Sequence, residues 1–181
     1  MPLQTLSREL ATQISSEFPL LQSLNLSNNA LRDVRHLQSL PRSLTQLDLG
    51  GNRLQALPQE LGEWLPELRL LRLRGNGLEA LRPLSGCKRL QTLDLGQNRL
   101  LLVSDLRSLQ SLTQLRHLFM DGNPLATDRN YRREVLGMLP QLQTLDGQQV
   151  TAAEKFNRSK LVKHLRDGKN SKKYGDSVSP I

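Results

Sequence analysis

An eleven-residue pattern, Leu-x-x-Leu-x-Leu-x-x-Asn-x-Leu, recurs through most of this 181-residue chain and constrains its fold more than any other feature. Five segments match it, the last of them (LRHLFMDGNPL) with Met in one leucine position, and they begin at Leu21, Leu44, Leu68, Leu90 and Leu115. Successive segments start 23, 24, 22 and 25 residues apart. A pattern that returns at a nearly fixed interval indicates a stack of similar units.

The pattern predicts how each unit folds. In its Leu-x-Leu portion, successive residues of a strand point to opposite sides, so the leucines face a core and the residues between them face outward. Stacked units form a parallel sheet, and longer return segments such as QALPQELGEWLPE form helical or 3₁₀ turns behind it. Because the return segments are wider than the strand spacing, we expect an α/β leucine-rich repeat solenoid, a short right-handed horseshoe with the parallel sheet on its concave side. Aromatic residues make up only 3% of the chain, so leucine must supply the core.

The asparagine of each match is predicted to be structural. Where the chain leaves a strand, its backbone N–H and C=O groups lose their sheet partners, and a stacked amide side chain can satisfy them from one unit to the next. We therefore assign a structural role to the set Asn29, Asn52, Asn76, Asn98 and Asn123.

Both ends of the stack have segments that could cover exposed leucine. At the front, within residues 1–20, apolar residues at helical spacing predict an amphipathic capping helix over 5–17. This stripe consists of Leu3, Leu6, Leu10 and Ile14 and is continued by Phe18. Five repeats would then occupy residues 21–126.

At the back, residues 127–151 read as a C-terminal cap. Tyr131, Val135, Leu136 and Leu139 give a short helix an apolar face, and LQTLDG supplies a last strand that stops at Gly147. Thr151-x-x-Glu154 is a capping-box match, which predicts a further basic amphipathic helix over 152–166. Residues 167–181 are polar and basic, and we expect them to be disordered.

The repeats together with GNPL…YRREVLGMLPQLQTLDGQQVT…E resemble a group of intracellular leucine-rich-repeat proteins that share this kind of C-terminal cap. The group includes the regulator of protein phosphatase 1, the A-prime protein of a spliceosomal ribonucleoprotein, and many ciliary and centrosomal proteins. The likeness covers about residues 20–155. It implies a capped horseshoe that binds other proteins.

The outward positions of the predicted strands form columns on the concave face, with neighbours about 4.8 Å apart. The middle column would run Asn25, Asp48, Arg72, Asp94, Phe119 and Asp146. One interpretation is a solvated charge ladder of small energetic value. The other is a partner-binding site, because the fold itself needs no aromatic or cationic cluster here. The candidate binding residues are Asp48, Leu70, Arg72, Arg74, Asp94, Arg116, His117 and Phe119.

Charge is concentrated at the C-terminal end. Residues 151–181 hold 8 Lys and Arg against 3 Asp and Glu, whereas residues 1–150 hold 17 against 14. Such a segment suits an acidic partner, either RNA phosphates or the acidic tails of tubulin. The residues expected to contact it are Lys155, Arg158, Lys160, Lys163, Arg166, Lys169, Lys172 and Lys173.

No motif for catalysis, a metal or a cofactor has convincing context. The three histidines are isolated in the sequence, and the glycine-rich fragments are explained by the repeat turns. Cys87 precedes a strand and is interpreted as a core residue. No apolar run has the length of a signal peptide or a membrane span, so we expect a soluble cytoplasmic protein with neither a membrane nor a small-molecule substrate as partner.

The leading hypothesis is a non-catalytic adaptor that holds a helix or loop of a protein partner on its concave face, within a cytoskeletal or ciliary assembly. One alternative is a nuclear ribonucleoprotein component whose C-terminal segment contacts RNA. A second alternative is the regulatory subunit of an enzyme such as a phosphatase. The residues do not decide among these settings.

Overall fold

The computed structural model describes residues 1–155 and shows a leucine-rich repeat solenoid, as the repeat pattern predicts. Its strands are β1 (Ser23–Asn25), β2 (Gln46–Asp48), β3 (Leu70–Arg72), β4 (Thr92–Asp94), β5 (His117–Phe119), β6 (Thr144–Leu145) and β7 (Gln148–Gln149). The α-helices are α1 (Arg8–Glu17), α2 (Leu61–Trp64) and α3 (Tyr131–Met138). Four 3₁₀ helices lie among the described residues: η1 (Arg35–Ser39), η2 (Arg82–Gly86), η3 (Val103–Ser111) and η4 (Pro124–Thr127).

The strands form one sheet in sequence order, and each of β1 to β5 pairs in parallel with the strand that follows it. The register is that of the repeat. For example, Leu47 pairs with Leu71, and Leu71 pairs with Leu93. Every inward side chain therefore stacks on its equivalent in the neighbouring unit, and the helical return segments lie behind the sheet.

The core is a stack of leucine layers between the sheet and the return segments. The central strand leucines are fully buried in the inner units, and burying each one stabilises the fold by about 1.5–3 kcal/mol. The members of this layer are Leu47, Leu71, Leu93, Leu118 and Leu145. Cys87 lies in the same core, which confirms its assignment as a packing residue.

The asparagines carry the hydrogen bonds expected of them. Asn98 is typical: its Nδ2 donates to the carbonyls of Leu73 and Leu95, and its Oδ1 accepts the backbone N–H of Leu78 from the preceding unit. The same bridge to the preceding unit is made by Asn29, Asn52, Asn76 and Asn123. Each amide thus ties two neighbouring turns together at the point where the strands end.

The front of the solenoid differs from the continuous helix predicted over 5–17. Helix α1 begins only at Arg8, where the Ser7 side chain accepts the N–H of Leu10. Leu3 lies before the helix, and its N–H donates to Asn29 Oδ1 while its carbonyl accepts the N–H of Ala30. Leu31 and Leu54 make the same pair of bonds with the units that follow them.

The segment before α1 is therefore half of a repeat. Leu3 and Leu6 take the places that Leu54 and Leu57 take in a complete unit, and α1 takes the place of the return helix. The sequence signal was present, because both pairs are three residues apart, but it coincides with a helical period. Phe18, expected to continue the apolar stripe, is mostly exposed.

The back of the sheet continues beyond Gly147, where the last strand was expected to stop. Asp146 and Gly147 both have positive φ, and they form a two-residue turn that leads into β7. Strand β7 pairs antiparallel with β6, with Leu145 opposite Gln148. An Asp-Gly pair favours this hairpin turn, so the extra strand was readable from the sequence.

Candidate partner-binding site on the concave face

The sheet places the predicted columns side by side. Asn25, Asp48, Arg72, Asp94 and Phe119 are register partners from β1 to β5 and form the middle column. Neighbouring members of a column are about 4.8 Å apart. Adjacent to it, Leu70 in β3 and His117 in β5 flank Thr92 in β4.

Asp146 does not continue the middle column. Its Oδ1 accepts the backbone N–H groups of Met120 and Asp121 at 2.7 and 3.1 Å, and its Oδ2 accepts the hydroxyl of Tyr131 at 2.9 Å. The carboxylate thus fastens the C-terminal cap to the end of β5. Burial, followed by the nearby Asp146 charge, raises the pKa of the Tyr131 hydroxyl well above its ordinary value, so Tyr131 remains a hydrogen-bond donor.

The polar members of the middle column have a local structural role. Asp48 Oδ1 accepts the N–H of Gly50 at 2.9 Å, and Asp94 Oδ1 accepts the N–H of Gly96 at 3.0 Å. Asn25 makes the equivalent bond to the N–H two residues further on. These side chains hold the turn that follows each strand, which is a common use of Asn and Asp.

Arg72 and Phe119 occupy the same column but cannot make that bond, because neither side chain carries an acceptor. The Arg72 side chain is 52% exposed and touches Asp48 through a single Nη1 to Oδ2 contact of 3.5 Å. An exposed pair of this length contributes little to stability. The Arg72 guanidinium is therefore largely available to another molecule.

Arg74 is held more firmly. It reaches across Gly96 to Asp121, with Nη1 donating to Oδ1 at 2.9 Å and Nη2 donating to Oδ2, and a weaker contact joins it to Asp94. The hydrogen bonds from Arg74 hold the pKa of Asp121 below its usual value, and Asp121 in turn raises the pKa of Arg74. Asp121 was missed as a site residue, although the column Arg74, Gly96, Asp121 could be read from the repeats.

The apolar part of the site is less exposed than the sequence suggested. Phe119, Leu70 and His117 are all partly buried, and His117 Nδ1 lies 2.9 Å from the Thr144 hydroxyl. Arg116 departs from the cluster: its Nη1 donates to the carbonyls of Thr113 and Leu115, in the turn that leads into β5. The concave cluster is therefore built around Arg72, Leu70, His117 and Phe119, with Arg74 as a fixed neighbour.

A shallow cleft of about 300 Å³ lies beside Arg72 and Arg74. Backbone of glycine residues forms part of its lining, so main chain is accessible there. The residues around it are Ser27, Asn28, Asp48, Gly50, Gly51, Arg72, Arg74, Gly75, Asp94 and Gln97. Backbone groups and a free guanidinium next to each other suit the polar and acidic groups of a peptide.

The basic C-terminal segment begins with a defined anchor. Thr151 and Glu154 form the predicted capping box, with Thr151 N–H donating to Glu154 at 2.8 Å. Arg132 of α3 donates to the same carboxylate at 2.7 Å, and mainly through this bond the pKa of Glu154 falls to about 2. A helical turn begins at residue 152 and includes Lys155. The rest of the predicted helix and tail lies outside the described residues, with Arg158, Lys160, Lys163, Arg166, Lys169, Lys172 and Lys173.

Three other features bear on the kind of site. Burial raises the pKa of the Cys87 thiol to about 11, so this cysteine is neutral and enclosed. Within residues 1–155, no group of three His, Cys, Asp or Glu side chains is placed to hold a metal ion. In the same range, no helix has both the length and the apolar character needed to cross a membrane.

The fold and this concave surface define a leucine-rich repeat domain of the protein-interaction type. The family description of the leucine rich repeat matches residues 19–78, 42–100 and 66–125, and the chain belongs to that family. Human cilia- and flagella-associated protein 410 is 36% identical over 114 residues, which cover 62% of this chain and 44% of that protein. Probable U2 small nuclear ribonucleoprotein A' of Drosophila melanogaster is 32% identical over 148 residues, 79% of this chain and 47% of that protein.

Among solved structures, the chain is similar to one in the crystal structure of the Drosophila melanogaster SNF/U2A' complex, with a TM-score of 0.74 and 23% identity. The alignment covers 94% of this chain and 99% of that chain. At this identity the likeness establishes the fold alone. The chain spans less than half the length of the two protein relatives above.

Proposed function

We propose that the chain is a non-catalytic adaptor that binds a segment of a protein partner on its concave face, with Arg72 and Phe119 as the principal contacts. The observation that carries this proposal is the middle column. The side chains of Asn25, Asp48 and Asp94 each accept a backbone N–H in the turn that follows their strand. Arg72 and Phe119, at the equivalent positions, cannot make this bond. Arginine and aromatic side chains are also the types that dominate binding energy at interfaces.

The geometry favours a partner with an acidic and an apolar side chain on one face. Arg72 and Phe119 lie two strands apart, which places them about 10 Å from each other across the sheet. Asp94 lies between them and would meet a basic or hydrogen-bond-donating group. A helix or a loop that crosses the strands can present such a row of side chains.

For the setting, we propose a cytoskeletal or ciliary assembly, supported by the 36% identity to human cilia- and flagella-associated protein 410. The alternative of a nuclear ribonucleoprotein component is supported by the longer match to the Drosophila A' protein. The phosphatase-regulator alternative rests on the resemblance of the repeats and the C-terminal cap alone. In the first two settings, the basic segment from Lys155 onward would add electrostatic attachment to tubulin tails or to RNA.

Affinity purification of the full chain from ciliated cells and from nuclear extract, followed by mass spectrometry, tests both levels of the proposal. The double variant R72A/F119A should lose the partner, because it removes the free guanidinium and the aromatic ring together. The matched control is R107A/L102A, which truncates an exposed arginine and an exposed leucine away from the concave columns. Circular dichroism of each variant checks that the fold is intact.

Loss of the same proteins from R72A/F119A and not from the control supports the concave site, and the identity of those proteins selects the setting. If R72A/F119A retains every partner, the concave binding site is refuted. Washing the captured complexes at rising salt separates the basic segment from the concave site, since contacts with nucleic acid or an acidic tail weaken steeply with salt. A partner lost equally from a chain truncated after Lys155 is held by the basic segment instead.

A further inference from the structure

The rim of the solenoid where the chain enters the strands is rich in positive charge. Each unit places three residues there, namely the two that precede its first leucine and the one that follows it. In the second to fifth repeats these positions hold five basic side chains and a single acid, Glu67. We call this surface the cationic rim, and its basic members are Arg42, Arg69, Lys88, Arg89 and Arg116.

The backbone fixes the front row of the cationic rim. The N–H of Arg69 donates to the Thr45 carbonyl, and the Arg69 carbonyl accepts the N–H of Gln91, both at 2.8 Å. Arg116 continues this ladder, because its N–H donates to the Gln91 carbonyl at 2.8 Å. With units about 4.8 Å apart, the Cα atoms of Arg69 and Arg116 are about 10 Å apart, and Gln91 lies between them. The rim from Arg42 to Arg116 spans three such steps, or about 14 Å.

Most of the charge on the rim is uncompensated. Within residues 1–155, the exposed side chains of Arg69 and Lys88 form neither a hydrogen bond nor an ion pair. Arg42 and Arg116 donate to backbone carbonyls at 2.9–3.2 Å, and these acceptors carry no net charge. The fifth base, Arg89, pairs with the one acid of the rim. Four positive charges are therefore available to another molecule.

The rim accounts for the positive charge of the repeat body. Residues 1–150 hold 17 Lys and Arg against 14 Asp and Glu. Without the five bases and the acid of the rim, 12 bases face 13 acids, so the rest of the body is nearly neutral. The fold gains nothing from this arrangement, because like charges on neighbouring units repel each other. A local excess of charge on a balanced domain attracts an anionic partner and speeds its approach.

We propose that the cationic rim binds an acidic segment of another protein, which runs across the units and places its carboxylates on the arginine and lysine side chains. A guanidinium can bind a carboxylate through two parallel hydrogen bonds, and that of Arg69 is wholly available for this. Five residues of an extended peptide, at about 3.3 Å each, cover the length of the rim. Gln91 can donate to the peptide backbone or accept from it, since its amide does both.

Other occupants fit the rim less well. Residues 151–181 and a second copy of the chain are both basic overall, so the rim would repel them. Single-stranded nucleic acid binds largely by stacking its bases on aromatic rings, and none of the rim positions is aromatic. The rim uses neither Arg72 nor Phe119, so this proposal does not depend on the concave site.

Carbodiimide cross-linking of the full chain to an octaglutamate peptide tests the rim. The reagent joins carboxylates to amines, and Lys88 is the only lysine within residues 1–150. A cross-link at Lys88, located by mass spectrometry, therefore marks the rim, whereas cross-links at the later lysines mark the basic C-terminal segment. We expect Lys88 to be cross-linked at about 50 mM salt, and the yield to fall as rising salt screens the rim.

The double variant R42Q/R69Q should raise the peptide concentration for half-maximal cross-linking at Lys88 about tenfold, because it removes two uncompensated charges from the rim. The matched control R53Q/R82Q removes two exposed arginines outside the rim and should raise it by less than about twofold. Circular dichroism checks that both variants keep the fold.

The absence of a cross-link at Lys88 overturns the proposal, as do equal effects of R42Q/R69Q and R53Q/R82Q. Competition with a duplex RNA tests the alternative class of partner. If the RNA displaces the peptide from Lys88 at a lower concentration of negative charge than free octaglutamate does, the rim is a nucleic-acid site and the proposal is wrong. Displacement by free octaglutamate at the lower concentration supports it.

Discussion

Replacing Asn98 with alanine tests whether the asparagine ladder holds neighbouring repeats together. Asn98 is 6% exposed and makes four hydrogen bonds. Its Oδ1 accepts the N–H of Leu78 at 3.0 Å, and its Nδ2 donates to the carbonyls of Leu73, Leu95 and Gly96 at 2.9–3.1 Å. Alanine removes all four at once while leaving the leucine layers untouched.

The four bonds do not contribute equally. Each of the three carbonyls keeps another donor when Asn98 is lost. Asn76 Nδ2 donates to Leu73, Asn123 Nδ2 donates to Leu95, and the Gly75 N–H donates to Gly96. The Leu78 N–H keeps no partner, and an unpaired buried donor costs about 1–3 kcal/mol. With the weaker loss at the carbonyls and a small cavity, we expect the free energy of unfolding to fall by about 2–4 kcal/mol.

Asn29 is the internal comparison, because it makes the same bridge at the N-terminal end of the stack. Its Oδ1 accepts the N–H of Leu3 at 2.8 Å, but its side chain is only partly buried. Water can replace much of what an exposed amide provides, so Asn29→Ala should cost about 1 kcal/mol. The difference between the two variants therefore isolates the effect of burial from that of the hydrogen bonds.

Urea unfolding followed by circular dichroism measures both free energies. Hydrogen exchange adds a local readout, since the amide of Leu78 should lose more protection than its neighbours when Asn98 is replaced. Equal losses for Asn29→Ala and Asn98→Ala would contradict the reasoning. A loss below about 1 kcal/mol at Asn98, with Leu78 still protected, would mean that leucine burial alone fixes the stack.

Two further predictions concern ion pairs. A Cβ on Gly96 would lie 2.1 Å from Arg74 Nη1, so Gly96→Ala should detach Arg74 from Asp121. Because this ion pair is substantially exposed, chemical denaturation should show that the free energy of unfolding falls by less than about 1 kcal/mol. A fall of several kcal/mol would refute this account. The pKa of Glu154 in the folded protein is about 2, below its ordinary value of 4.5. The pair of Glu154 with Arg132 therefore stabilises the fold fully at pH values above 4.5, and this stabilisation is lost as the pH falls toward 2. The difference in unfolding free energy between the native chain and E154Q should therefore vanish at low pH, and a constant difference would contradict the assignment.

The repeat pattern determines much of the structure because its leucines and asparagines satisfy requirements that recur in every unit. The register of the columns follows from it without further information, as the pairing of Asp48 with Arg72 and of Arg72 with Asp94 shows. The pattern also points to the candidate site, because an outward residue whose type differs from the Asn or Asp of its column can be recognised from the sequence. Partner-binding roles for these residues remain predictions.

The ends were harder to predict because they are not periodic. Leu3 and Leu6 fit a helical stripe and a repeat turn equally well, and only the hydrogen bond from Leu3 to Asn29 separates the two. Arg116 was placed on the concave face by its position next to His117, but its long side chain turns back to carbonyls of its own turn. Side-chain direction depends on which acceptors are within reach, and the pattern of apolar residues does not contain that information.

A solenoid supplies its own comparisons, because each position has equivalents in the same molecule under nearly the same backbone constraints. Asp48 and Asp94 show that the fold uses a middle-column side chain to accept a backbone N–H in the following turn. Arg72 cannot do this, so the fold does not explain it. Leu44 shows how deeply the first leucine of a unit is buried when a neighbour covers it, so the exposure of Leu21 is not explained by the repeat either. The surface proposed for a partner follows from this comparison.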